Sequence, residues 1–578
     1  MTMDRITSKQ QYIQGKDKLS ILIVDNCQVA SMFLKKLLFQ LGFTRVEKAS
    51  SYQEAIKKCA KRNYSLLFID YHLDQRLNGS ELYDLLREKG FISPSTRVIT
   101  ISGDHSTQTV LSTLSKGNGD YLCKPISKSN LHNKISNAYQ EYNIFKRLYS
   151  LLDERRYDEL LTLSIQLISE KNIHELDLFL INFLMTHDKE KLSSLCEQPQ
   201  FKNRKNYILA QLKLEDERNT TSKNEILKRA IALSKKQPLF TQALDFLSDI
   251  QCNHKNYEEA LNASLQVLSL TPSIPHRALQ TLNLALICNN KPVFLKASHS
   301  LANHLPIADS NWCSYAAECF NYFNSYIHNS ISETDKNQLI LEQKNIARRI
   351  EYRLTDRQKV QLNILYNYSL CKKYIQDGDI VTAKLNTLKV TAPFYDNLHE
   401  LNTVILIELL YLLLFFGDIW LIEKVEYVLK TKKYFNVYCS ELLVLLKQDP
   451  QLKQSISRLS TTINNANTLK ETDPKEALTS YETERNNYPY SSELCIGLLE
   501  SYVALSLDNP SLLGTAINLV KDMPLSHDLM QRRDNVLSFL HANPNFISEF
   551  DSNNLAHVIY PNQSHSVLDK RYQLSLSV

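Results

Sequence analysis

The first 140 residues alternate between short apolar runs and longer stretches with apolar residues at helical spacing. Residues 20–25 read Ser-Ile-Leu-Ile-Val-Asp, an apolar run that ends in an acid. Runs of this length suit strands buried on both faces. Residues 29–41 then place Met32, Leu34, Leu37, Leu38 and Leu41 at helical spacing and stop before Gly42. The alternation continues: further strands are predicted at 45–48, 65–70, 97–102 and 120–123. Helices are predicted at 52–61, 79–89 and 106–115, with a last one from about residue 127. Five strands alternating with five helices predict a doubly wound domain around a parallel sheet. Beyond Ile135 the helical period runs on almost without interruption. The fold class predicted is therefore α/β plus all-α: a five-stranded parallel sheet followed by a helical solenoid.

In doubly wound sheets, ligands bind outside the carboxyl ends of the strands, near the point where the strand order reverses. Asp25, Asn26, Asp70, Ser102 and Lys124 all fall at or just past predicted strand ends. They are expected to meet on one edge. An acid after a strand is often only a turn cap, but five polar groups at four strand ends make a stronger pattern.

These residues carry a resemblance. The pieces are Ile-Val-Asp25-Asn26, Phe-Ile-Asp70, the loop to Asn78-Gly79, Thr-Ile-Ser102-Gly103 and Tyr121-Leu-Cys-Lys124-Pro125. In order and spacing, residues 18–140 resemble the receiver domain of two-component response regulators, a flavodoxin-like fold. The resemblance implies that Asp70 is the phosphoacceptor. It implies Mg²⁺ held by Asp25, Asn26, Asp70 and the backbone carbonyl of His72. It also implies that Ser102 contacts the phosphoryl group, that Tyr121 is a switch aromatic, and that Lys124 pairs with Asp70 or its phosphoryl group. Lys124-Pro125 is similar to the family's cis-proline step. The implied partner is a sensor histidine kinase or a phosphotransfer protein. Asn26 departs from the family pattern, which has a second acid there. An amide oxygen can still ligate Mg²⁺, but one negative charge is missing and weaker metal binding is expected.

Composition sharpens the second half. The chain has 11 glycines in 578 residues, seven of them before residue 150 and none from 120 to 377. Glycine supplies the positive φ of hairpins and phosphate loops, so this stretch suits a helical array. Pro238, Pro272 and Pro306 are spaced by 34 residues, the period of the tetratricopeptide repeat. Asn-Tyr-Glu-Glu-Ala260, Gly378-Asp-Ile-Val-Thr-Ala383 and Asp473-Pro-Lys-Glu-Ala477 with Tyr481 and Pro489 resemble that family's turns. The match is uneven, and residues 320–360 and 425–470 fit poorly. The resemblance implies a concave groove for an unidentified protein partner. The expected organisation is a disordered tail (1–17), a receiver domain (18–140) and a helical linker (141–202). Tetratricopeptide-like repeats (203–524) and a helical cap and tail (525–578) complete it.

Several classes are excluded. Eleven irregularly spaced cysteines without a Cys-x-x-Cys pair fit a reducing, cytoplasmic compartment with thiols as apolar filler. The apolar run at 404–422 contains Glu408 and Asp418, so a buried helix pair bent near Gly417 is expected rather than membrane insertion. No leading segment resembles a secretory signal. A net charge of +5 and no isolated basic recognition helix argue against nucleic acid. No P-loop, His-Glu-x-x-His or Gly-x-Ser-x-Gly motif is present, so no enzyme activity is expected beyond the receiver's own phosphorylation and dephosphorylation. The function expected is a response regulator that signals through protein–protein interaction. Two alternatives stay open: a phosphorylation-independent scaffold with a pseudo-receiver, and a nucleic-acid-binding regulator.

Overall fold

The computed structural model describes residues 19–542, apart from 74–76, 105, 115–118, 172, 220, 331, 433–435 and 508–509. The tail expected at 1–17, and the part of the helical cap and tail expected at 525–578 that follows residue 542, lie outside the described residues. The chain divides into two compact units, 1–310 and 311–578.

The first unit opens with β1 (Ile21–Val24), α1 (Gln28–Gln40), β2 (Val46–Ala49), α2 (Tyr52–Cys59) and β3 (Leu66–Asp70). It continues with α3 (Gly79–Glu88), β4 (Arg97–Ser102), α4 (Thr107–Leu114), β5 (Gly119–Cys123) and α5 (Lys128–Asp153). All strand pairs are parallel, in the order β2-β1-β3-β4-β5. Every residue of β1, β3 and β4 is buried, because successive side chains enter a core on either face. Ile21, Ile23, Leu66 and Phe68 pack with Leu34, Leu38, Leu131 and Ile135 of α1 and α5. Leu22, Val24, Leu67 and Ile69 pack with Ala55, Leu82 and Leu86 of α2 and α3.

Helix α5 runs 26 residues without a break and carries the chain straight through the expected boundary at residue 140. Its second half shares a core with α6 (Tyr157–Glu170), α7 (His174–His187), α8 (Lys189–Glu197) and the start of α9 (Lys205–Arg218). The described residues of the expected helical linker, 141–202, are mostly helical and pack into this core. At the amino-terminal edge of the sheet, Arg97 is 2% exposed and pairs with Glu141 of α5 (3.4 Å) and Glu175 of α7 (2.7 Å), its guanidinium lying 4.0 Å from the Phe145 ring centroid.

Four helices, α10 (Lys223–Lys236), α11 (Thr241–Asn253), α12 (Tyr257–Leu270) and α13 (Pro275–Ile287), lead to α14 (Lys291–His304). Successive helices pack on one another, and α11 and α13 start 34 residues apart. Polar ties cross the mainly apolar seams: Ser248 Oγ donates to the Ala260 carbonyl (3.0 Å), and Arg277 Nε donates to Asp245 (3.1 Å). Helix α4 packs on α12, where Gln108 donates to the Ser269 carbonyl (3.0 Å).

The second unit is all-α among the described residues. It runs through α15 (Trp312–Asn329), α16 (Glu333–Arg353), α17 (Asp356–Gln376), α18 (Ile380–Thr391), α19 (Thr403–Phe416) and α20 (Ile419–Thr431). It ends with α21 (Val437–Lys447), α22 (Pro450–Leu469), α23 (Pro474–Arg485), α24 (Ser492–Leu505), α25 (Pro510–Val520) and α26 (His527–Ala542). Helix α19 is the apolar run, and Gly417 ends it in the left-handed region (φ 78°). Glu408 within it is 2% exposed and paired with Lys372, while Asp418 beside it is paired with Lys384 at 2.8 Å. No helix among the described residues is long and apolar enough to cross a membrane.

The scarcity of glycine has a local explanation. Arg155, Asn219, Lys255, Asn289 and Ser506 all have positive φ. Each follows a helix, where glycine is the usual residue. Among the described residues, left-handed turns are thus made by these five as well as by Gly42, Gly90, Gly378 and Gly417.

Candidate functional site

The sheet register brings the predicted residues to one edge. Val24 pairs with Ile69, so Asp25, one residue on, is level with Asp70. Asp70 pairs with Ile101, and Ser102 with Cys123. The strand order reverses between β1 and β3, and the two acids sit on either side of that point. Main-chain bonds hold the edge: the amide of Asp25 donates to Ala49 (3.1 Å) and that of Lys124 to Ser102 (2.8 Å). The Lys124–Pro125 peptide bond is cis.

Lys124 Nζ lies 3.3 Å from Asp25 Oδ2 and 3.3 Å from Asp70 Oδ1. Asp25 is 4% and Asp70 7% exposed. The other oxygen of Asp25 is held by the Cys27 amide (2.8 Å). Burial pushes the Asp70 carboxyl above the ordinary carboxylate range; Lys124 pulls it back and Asp25 pushes it further up. Burial works against the charge on Lys124, but Asp70 and Asp25 outweigh it and raise the ammonium above its usual value. Two carboxylates with one ammonium leave a net charge of about −1, an unbalanced pair of acids at a buried edge.

The remaining residues divide. Ser102 is fully buried and its Oγ accepts from the Asp104 amide (3.0 Å), which leaves its own proton to donate. The Tyr121 ring is buried and its hydroxyl donates to the Asp104 carbonyl. His72 lies in the loop after β3, its side chain exposed and its ring edge-on to Tyr71 at 5.0 Å. Asn26 is exposed, and its amide donates to the Leu73 carbonyl at 2.7 Å. It therefore ties the loop after β1 to the loop after β3. An aspartate could not make that bond.

Two residues gain roles that sequence reasoning did not assign. A Cβ on Gly79 would stand 2.3 Å from the Asp70 carbonyl oxygen and 2.9 Å from Ile69 Cγ2. Helix α3 can start against the back of Asp70 only with glycine there. The sequence marks this glycine as a loop residue beside the site, without showing the close approach. Asp104 organises the loop after β4: its carboxylate accepts from Thr109 Oγ1 (2.5 Å) and the Ser106 amide (2.8 Å). The run Ser-Gly-Asp-x-Ser-x-x-Thr before a helix is the signal that could have found it.

The donor set suits a hard divalent cation. Mg²⁺ takes one or two carboxylates and keeps several waters. Buried, under-neutralised Asp25 and Asp70 meet that description. Among the described residues no group of three or more His, Cys, Asp or Glu side chains forms a denser cage.

Comparisons with known proteins cover the same segment. Residues 21–136 match the response regulator receiver domain family. The two-component response regulator ARR14 of Arabidopsis thaliana is 31% identical over 130 residues, 22% of this chain and 33% of that protein. The CAI-1 autoinducer sensor kinase/phosphatase CqsS of Vibrio cholerae is 28% identical over 123 residues, 21% of this chain and 18% of that protein. The chain thus spans a third or less of the length of these curated relatives. A solved structure of the Francisella response regulator 1452 receiver domain is 27% identical, with a TM-score of 0.19, covering 22% of this chain and 97% of that one. Residues 21–136 are a response regulator receiver domain.

Proposed function

We propose that this chain is a response regulator that takes a phosphoryl group on Asp70 and passes the signal on through its helical units by protein–protein interaction. The observation that carries the reading is the pair of buried acids sharing Lys124 at the switch point of the sheet. An Asp70 oxygen attacks the phosphorus of a phosphohistidine on a sensor kinase or phosphotransfer protein. The new P–O bond forms as the P–N bond breaks, and the imidazole leaves. Catalysis of such a transfer is mostly positioning and charge neutralisation. Lys124 neutralises phosphoryl oxygens, and the Ser102 hydroxyl can donate to one of them. Asp25 and Asp70, with the amide oxygen of Asn26 and the carbonyl of His72, would hold Mg²⁺, which supplies the balancing charge. The proposal includes no other enzyme activity. All eleven cysteines are free, which supports a reducing compartment such as the cytoplasm.

Asn26 favours a second reading. Its bond to Leu73 closes the loops without any cation, as a pseudo-receiver would require. Incubation with radiolabelled acetyl phosphate separates the two. Label on wild type that depends on Mg²⁺ and vanishes in Asp70→Asn supports phosphotransfer. An unlabelled wild-type protein, or equal label on Asp70→Asn, leaves the scaffold.

A further inference from the structure

The repeat pattern fits poorly at 425–470, and the second unit has a groove there. Helices α20 and α21 both pack on α19, and α22 packs on α20. The trough between them has a volume of about 960 Å³. Its floor is apolar and includes Leu414, Ile422, Leu443 and Ile456. A helix some 10 Å across fills roughly 400–500 Å³ per 5.4 Å turn. The trough therefore has room for about two turns of one more helix.

The rim has a direction. Glu423 lines it in the second turn of α20, Glu426 at the middle and Lys430 near the end. Glu423 also accepts from Ser460 Oγ of α22 at 3.2 Å. Lys430 and Lys453 stand seven residues from that contact along α20 and α22, roughly 10 Å of helix in each. Lys432 is committed to the carbonyls of His399 (2.9 Å) and Leu401 (3.1 Å). A helix carries partial positive charge at its amino end and partial negative charge at its carboxyl end. Glu423 toward one end of this helix-sized trough, with Lys430 and Lys453 toward the other, complements that polarity.

We infer that this trough binds an amphipathic helix of a partner protein. The helix presents an apolar stripe about two turns long and lies with its amino end toward Glu423 and its carboxyl end toward Lys430 and Lys453. A basic first turn and an acidic last turn on the partner match the rim. The inference deepens the protein-binding half of the proposed function. It needs no phosphoryl group, so its failure is distinct from a failure of Asp70 labelling.

The test uses the full-length protein and two fluorescein-labelled 14-residue peptides with the same leucine stripe, each held helical by a hydrocarbon staple on its polar face so that end charges do not alter its helicity. One has arginines in its first turn and glutamates in its last; the other has these charges exchanged. Fluorescence anisotropy is expected to show the first binding about tenfold tighter, the size expected of a few rim charge pairs. Val444 is 47% exposed and lines the trough, so Val444→Asp disturbs no core and is expected to weaken binding at least tenfold. Tyr352 on α16 is 78% exposed and outside the trough, so Tyr352→Asp is expected to change nothing. Equal affinity for the two peptides, no binding of either at millimolar concentration, or undiminished binding to Val444→Asp would overturn the inference. So would binding that emerges only after residues 543–578 are removed, which assigns the trough to the chain's own segment. A dimer of the free protein that Val444→Asp disperses would assign it to a second copy.

Discussion

Asn26→Asp changes the proposed metal site in two opposing ways, and both follow from the structure. The amide of Asn26 donates to the Leu73 carbonyl at 2.7 Å, and a carboxylate has no proton to give. Losing one such bond costs about 1 kcal/mol. The substitution also takes the local charge from about −1 to about −2, counting Asp25, Asp70 and Lys124. Without metal the variant is therefore less stable than wild type. With Mg²⁺ the extra charge attracts a divalent ion. At ~4 Å in a water-like medium, which suits the exposed position of residue 26, that attraction is about 2 kcal/mol. It corresponds to roughly thirtyfold tighter binding. Isothermal titration with Mg²⁺ measures the affinity directly. Thermal melts in EDTA and in excess Mg²⁺ measure both halves together, because a ligand bound to the native state adds stability in proportion to RT ln(1 + [L]/Kd). The expected pattern is a lower melting point than wild type in EDTA and a larger gain on adding Mg²⁺. An unchanged or weaker Mg²⁺ affinity would refute the reasoning, as would a metal-free variant as stable as wild type.

Other substitutions probe the supports of the site and the cores beneath it. Gly79→Ala forces a Cβ against the backbone of Asp70. It is expected to cost ~1–3 kcal/mol by urea melts and to slow Asp70 labelling more than tenfold, whereas labelling at the wild-type rate would show the backbone yields freely. Burial raises the Glu175 carboxyl from 4.5 to about 7, partly offset by Arg97. The folded state thus holds this proton more tightly than the unfolded state, and Glu175 makes stability fall as pH rises from about 4.5 to 7, by up to ~3 kcal/mol. Glu175→Gln should flatten that part of the stability–pH curve, and an unaltered slope would count against the shift. Lys384 and Asp418 are both fully buried and paired at 2.8 Å. Lys384→Met leaves an unpaired buried carboxylate and is expected to cost ~3–5 kcal/mol, most of it recovered in Lys384→Met/Asp418→Asn. No recovery in the double variant would mean the loss comes from packing.

Much of the receiver was legible because its physics is local in sequence. A strand buried on both faces must be a short apolar run, and the acids at the ends of two such runs then fall at one edge. The observed strands start or end within a residue or two of the predicted ones, since polar residues bound each run. What the sequence could not display was who meets whom. The bond from Asn26 to Leu73 joins a side chain to a carbonyl 47 residues away, and a carbonyl carries no residue identity. Gly79 was visible as a loop glycine, but its closeness to Asp70 depends on where α3 starts. In the helical part, periodicity gave helices without their neighbours. Residues 141–202 read as a helical linker, but the sequence did not show that Leu160, Leu180 and Leu192 share one core with Tyr207. The glycine count pointed to helices for a sound reason, since sheets and hairpins use glycine. It said nothing about turn conformation, because residues such as Lys255 and Asn289 adopt positive φ.

The reading stands or falls on where the phosphoryl group goes. An acyl phosphate is reduced by borohydride to the alcohol, so a phosphorylated aspartate becomes homoserine at the same position. After incubation with acetyl phosphate and Mg²⁺, borohydride reduction and peptide mass spectrometry should find homoserine at residue 70 and at no other acid. Homoserine at another position, or none after full incubation, would contradict Asp70 as the phosphoacceptor.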